Sequence, residues 1–189
     1  MNAPDPTVAR DPRDLRDSRA WWAALKLDPP AFTAWLLDQY RGEATAAGRI
    51  EMLRDAFATP GTRAHTLLGV IAGQERRHAV WVGDLLTTRG IAPQVAPKRE
   101  RYWKPTLEVI RDLETGCAVG AHSERMRLER IEVIAADPEA PADVRDVFRR
   151  ILPEERFHAR AFAELAGAEA LAATRDAHEL GRLALGLTP

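Results

Sequence analysis

Gln74-Glu75-Arg76-Arg77-His78-Ala79 and Glu154-Glu155-Arg156-Phe157-His158-Ala159 are two versions of one phrase, Glu-x-x-His, set 80 residues apart. Each follows a lone glutamate at nearly the same distance. Glu43 stands 32 residues before Glu75, and Glu124 stands 31 before Glu155. With Glu43 laid on Glu124, Arg49-Ile50-Glu51 falls on Arg130-Ile131-Glu132 without a gap. The chain therefore contains an internal repeat, with copies at 29–88 and 105–166.

The punctuation around these phrases makes each copy a pair of helices. Asp28-Pro29-Pro30 is an N-cap residue followed by proline in a first turn. A long helix is predicted from there to about Phe57, ended by Thr59-Pro60-Gly61. A second runs from 62 to 88 and stops at Gly90. Residues 90–104, with Pro93 and Pro97, are too long for a tight turn and have the size of a crossover connection. Pro105 opens a third helix, which reaches Ala136 before Asp137-Pro138. Pro141 opens a fourth, to about Leu165, and Gly167 ends it. A short helix over 13–27 precedes the repeats, and an amphipathic fifth helix over 168–186 follows them. Residues 1–12, with Pro4, Pro6 and Pro12, read as a flexible tail. The expectation is an all-α fold in one domain, 13–189: two hairpins joined by a crossover into a four-helix bundle, with extra helices at both ends. Trp21, Trp22 and the fifth helix either pack on the bundle or form a homodimer surface.

Residues i and i+3 of a helix share a face about one turn apart. Glu75 with His78, and Glu155 with His158, therefore each present an oxygen and a nitrogen together. If the hairpins face each other, each of two metal ions meets one histidine, one lone glutamate and shared glutamates. Carboxylate and imidazole ligands suit iron or manganese, with zinc also possible. Two divalent cations would neutralise the roughly −4 charge of the four carboxylates, which otherwise could not be buried cheaply.

This combination resembles the ferritin-like superfamily of dinuclear iron or manganese carboxylate proteins. The resemblance covers about 29–166 and resides in Glu43, Glu75, His78, Glu124, Glu155 and His158 and in the hairpin–crossover–hairpin order. It implies that Glu75 and Glu155 bridge two Fe ions, or Mn, or one of each. Glu43, His78, Glu124 and His158 would be the terminal ligands. It also implies oxygen or peroxide chemistry. Rubrerythrin-like peroxidases carry a further carboxylate a turn from a lone glutamate, whereas here Tyr40, Ala46, Ala121 and Arg127 hold those positions. The expected protein is then a di-iron oxidase or oxygenase that uses O2 on a small organic substrate. The alternatives are a ferroxidase or metal-handling protein without organic substrate, and a metal-free helical binding module. No nucleotide or flavin fingerprint is present, so any electron donor is expected to be a separate protein.

Two neighbours are candidates for catalysis beside the metals. Tyr40, a turn before Glu43, could donate a hydrogen bond or an electron, or simply fill a core boundary. Arg127, a turn after Glu124, could pair with a ligand carboxylate or an acidic substrate, or lie on a solvated face. Small residues follow Glu43 (Ala44, Ala46, Ala47, Gly48) and large ones follow Glu124, which leaves either a substrate cavity or closely packed helices beside the first long helix. Pro153, two residues before Glu155, suggests a kink or π-type irregularity.

The remaining composition is ordinary. The chain has 189 residues, 46% hydrophobic and 29% charged, with a net charge of −1. That balance gives no general reason to expect nucleic acid or an anionic membrane as partner. The basic–aromatic cluster Lys98–Lys104 could contact RNA, or be a solvated crossover with an anchored aromatic. Cys117 is the only cysteine, so neither an intrachain disulfide nor a rubredoxin-type iron site can form. The N-terminus has no apolar core of a secretory signal, and a cytoplasmic protein is expected.

Overall fold

The computed structural model describes residues 17–95, 101–185 and 187. The tail 1–12 and the middle of the crossover, including Lys98, lie outside the described residues. Among those described, the fold is all-α, with seven helices and no strand. None is long and apolar enough to cross a membrane.

The long helices begin where capping chemistry allows. Helix α1 (Ser18–Leu25) is capped by Asp17, whose carboxylate accepts from the Arg19 and Ala20 N–H groups at 2.7 and 3.1 Å. Asp28 caps α2 (Pro29–Phe57) through the Ala31 N–H, and Thr62 caps α3 (Arg63–Thr88). The short α4 (Trp103–Leu107) lies in the crossover. Helix α5 (Leu113–Ala136) starts eight residues after Pro105, where the sequence places its beginning. The reason is a capping box. The Asp112 carboxylate accepts from the Thr115 N–H at 2.8 Å, while Thr115 Oγ1 accepts from the Asp112 N–H at 3.2 Å. Pro105 falls inside α4 instead, so the second copy of the repeat begins its long helix at 113.

Helix α6 (Ala142–Ala173) keeps helical backbone angles through Pro153, with no π-type turn there. Its break is at Gly167, with φ +71°, a left-handed conformation that favours glycine. The predicted fifth helix starts beyond this break, as expected, and is divided at Thr174, after which α7 (Arg175–Ala184) runs. Thr174 is buried and returns its hydroxyl to the Ala170 carbonyl at 2.9 Å.

Helix α2 packs along α3 and α5 along α6, which makes the two predicted hairpins. They meet through α3 against α6 and α2 against α5, while α1 covers α2 and α5, and α4 rests on α7. The repeat is visible in the contacts. Glu51 pairs with Arg76 in one copy, and the equivalent Glu132 pairs with Arg156 in the other. Arg49 lies over the Trp103 ring at 4.5 Å, and its counterpart Arg130 lies over Trp21 at 4.3 Å.

Two apolar clusters result. One gathers Trp21, Trp22, Trp35, Leu36, Leu86, Ile134 and Phe148; the other gathers Ile50, Leu68, Ile71, Cys117, Ala121 and Phe162. Trp21 and Trp22 thus pack on the bundle, the first of the two alternatives open to them. On each long helix the ligand candidates fall between members of the two clusters, so a polar level separates two apolar ones. In the second cluster α5 and α6 approach closely at Gly120, where a Cβ would stand 2.9 Å from Phe162 Cδ1.

Phe148 is fully buried and stacks on Trp35 at 5.5 Å. Phe148→Ala is expected to lower unfolding free energy by about 3–5 kcal/mol, read by urea denaturation. A loss below about 1 kcal/mol would show that this cluster does not hold the hairpins together.

Candidate metal centre

Glu43 comes from α2, Glu75 and His78 from α3, Glu124 from α5, and Glu155 and His158 from α6. Glu124 is 7% exposed and the other five are fully buried. They form two overlapping sets: Glu43, Glu75, His78 and Glu155, and Glu75, Glu124, Glu155 and His158. Within each set one ligand atom per residue lies within 4.8 Å of the others. Glu75 and Glu155 belong to both. Each set takes its histidine and lone glutamate from one hairpin and borrows one glutamate from the other, so the centre spans the seam between them.

Both imidazoles are aimed by a residue of the opposite hairpin. His78 Nε2 lies 2.8 Å from Glu154 Oε2, and His158 Nε2 lies 2.9 Å from Gln74 Oε1. Each oxygen is an acceptor, so each Nε2 carries the proton and each Nδ1 presents a lone pair to the cluster. His158 Nδ1 stands 3.0 Å from Glu75 Oε1, and His78 Nδ1 stands 3.3 Å from Glu155 Oε1. Arg77 donates to the other Glu154 oxygen at 2.9 Å and fixes that carboxylate in turn. Sequence reasoning gave Gln74 and Glu154 no role. The signal was available: they are equivalent in the repeat, each directly preceding the glutamate of a Glu-x-x-His.

The electrostatics of the level are unbalanced. Burial raises Glu75 above the ordinary carboxylate range, and the Glu155 charge pushes it further. Burial, Glu155 and Glu75 hold Glu124 well above that range. Burial acts on Glu155 in the same sense, but Arg127 and the two histidines outweigh it and hold Glu155 well below. Burial alone would depress both imidazoles, yet contacts with Glu155 and Glu75 raise them. Nine buried ligand atoms lack a hydrogen bond: both oxygens of Glu43, Glu75 and Glu155, one of Glu124, and Nδ1 of His78 and His158. Buried polar atoms are almost always satisfied, and the missing partner of this set is cationic. The residues therefore fit a pair of metal ions.

No known family model, curated protein or solved structure matches the chain.

The other predicted residues divide. Arg127 enters the cluster: its Nη2 is in ion-pair contact with Glu43 and lies 3.2 Å from Glu155, and its Nη1 lies 3.8 Å from Glu75. Tyr40 does not; its ring packs against Gly83 of α3, where a Cβ would stand 3.3 Å from Cε2. That contact makes it a boundary residue rather than a partner of the ligands. His122 stacks on His178 at 4.6 Å, away from both ligand sets, and Tyr102 Oη lies 2.8 Å from His178 Nδ1. Tyr102 is thus the anchored aromatic of the crossover. Cys117 is fully buried, and desolvation pushes its thiol up to about 12. Trp81 lies against His78, with ring centroids 5.6 Å apart.

Glu75, Glu124, His78 and His158 bind protons more tightly folded than unfolded. Each contributes stability that is complete below its ordinary value and is lost as pH rises through its raised one. Glu155 is depressed, so its contribution is fully present at neutral pH and adds no slope there. Chelator-treated protein should lose melting temperature steadily as pH rises above the ordinary imidazole value of 6.5. A melting temperature that holds or climbs over that range would contradict the assigned shifts.

Proposed function

We propose that the chain is a ferritin-like four-helix-bundle protein, built on α2, α3, α5 and α6, that holds two metal ions, iron foremost. With them it would oxidise or hydroxylate a small organic substrate using O2. One observation carries this reading: two ligand sets share Glu75 and Glu155, and their oxygens and imidazole nitrogens are buried without hydrogen bonds. Mixed carboxylate and imidazole donors suit iron or manganese. Glu43 and His78 would complete one position, Glu124 and His158 the other, with Glu75 and Glu155 bridging.

When bound, such a pair of ions supplies the electrons and open coordination positions that O2 reduction needs. The chain contributes the rest. Gln74 and Glu154 hold the Nε2 protons, so the neutral rings aim their Nδ1 lone pairs inward. The two apolar clusters exclude water above and below the polar level. A cavity of about 580 Å³ between α2 and α5 reaches Glu124 and Arg127 and gives an organic molecule an approach. That cavity favours an organic substrate over simple iron oxidation or storage. The orphaned ligand atoms speak against a metal-free binding module.

Anaerobic Fe(II) loading followed by desalting should leave about two irons per chain. The Glu75→Ala/Glu155→Ala double variant should retain none, and admission of O2 to the loaded wild type should consume it. Wild-type protein that keeps no metal would sink the proposal. The imidazole partners supply a second check. Glu154→Ala and Gln74→Ala should each weaken metal binding about 10–100-fold in a competition assay with a chromophoric chelator. Unchanged affinity in both would remove their assigned role.

A further inference from the structure

The α2–α5 cavity carries its own chemistry. Its walls are apolar at Trp35, Ile134, Phe162 and Trp103, and cationic at Arg127, Arg130, Arg49 and Arg101. Its acids are Asp38, Glu124 of the ligand cluster, and Glu129, which is paired with Arg182 at 3.5 Å. Arg130 lies over the Trp21 ring and makes no salt bridge among the described residues, with Glu129 the acid whose charge acts on it. It is largely desolvated, which depresses the stability of its charge.

Arg127 links the cavity to the centre. Its guanidinium is wedged among Glu43, Glu155 and Glu75, yet neither Nε nor Nη2 makes a hydrogen bond of acceptable geometry. It supplies charge to the carboxylates without the bidentate fit that arginine makes in a settled pair. Two divalent ions on the same oxygens would repel it at contact distance. The side chain is 20% exposed, and the space it borders is the cavity.

Resting on the dinuclear reading above, we propose that Arg127 is a displaceable counter-ion. Metal loading drives its guanidinium from the carboxylate cluster into the α2–α5 cavity, where with Arg130 it receives the carboxylate of an organic acid whose apolar body lies against Trp35 and Ile134. The substrate class is therefore an amphipathic organic acid, and the cavity becomes competent for it only after the metals are in place.

The test is anaerobic calorimetry of the full chain, chelator-treated or loaded with Fe(II), titrated with 2-naphthoate and with its neutral isostere 2-naphthamide. Metal loading should tighten 2-naphthoate binding at least tenfold and leave the amide unchanged. Arg127→Gln should retain its iron and lose that gain. Arg130→Gln, which leaves the ligand cluster untouched, should weaken 2-naphthoate binding to the loaded protein about tenfold. Equal affinity in the two metal states, or an amide bound as tightly as the acid, would overturn the proposal and leave the dinuclear centre standing. So would an Arg127→Gln variant that keeps the gain, because the probe would then be held by the metals themselves. A wild type that retains no iron would overturn the dinuclear reading and this one with it.

Discussion

Four carboxylates confined with two imidazoles in one dry level set the terms for this molecule. Their like charges repel, and burial removes the water that would screen them. The hairpins can meet there only because large apolar clusters above and below make the seam worth closing. The first of these draws on Trp21, Trp22 and Trp35 and the second on Leu68, Ile71 and Phe162. Arg127 lends part of the missing positive charge, and the crowding shows in Glu124, whose carboxyl is held well above the ordinary range. The centre is thus an electrostatic debt carried by the hydrophobic core.

Much of this was legible in the sequence, and the reason is periodicity. The bounds of α2 and α3 follow from Asp28-Pro29-Pro30, Thr59-Pro60-Gly61 and Gly90, because capping and helix breaking are local chemistry. The six ligand candidates could be picked out because a duplicated pattern is improbable by chance. The errors arose where a local cue competed with a longer-range one. Pro105 is an acceptable first-turn residue, but the capping box at Asp112 and Thr115 and the docking of α4 on α7 fix the start of α5. Gly167, by contrast, ends a helix in the structure as it does in the sequence: its φ of +71° breaks α6, and a new helical stretch begins beyond it. Tyr40 and Arg127 occupy comparable positions on paper, one turn from a lone glutamate. Which of them enters the cluster depends on what faces them across the seam, and no spacing within one helix encodes that.

The two copies have diverged most on the α2–α5 side. Gly42 and Ala46 line the cavity on α2, facing Ser123 and Arg127 on α5. Small residues after Glu43 were compatible with either a cavity or close packing, and the structure divides them: Ala46 borders open space while Ala47 is buried. Within each hairpin one ion pair is kept in common, Arg76 with Glu51 between α3 and α2 and Arg156 with Glu132 between α6 and α5.

The partners of the two histidines break that correspondence in one atom. Glu154 offers His78 a carboxylate, itself steadied by Arg77, whereas Gln74 offers His158 an uncharged amide. A carboxylate draws the Nε2 proton more strongly, so His78 is the more electron-rich donor at Nδ1. A fold assembled from two like halves has in this way acquired a direction. Whatever occupies the two positions meets unequal fields, and the duplicated chain no longer treats its own halves as interchangeable.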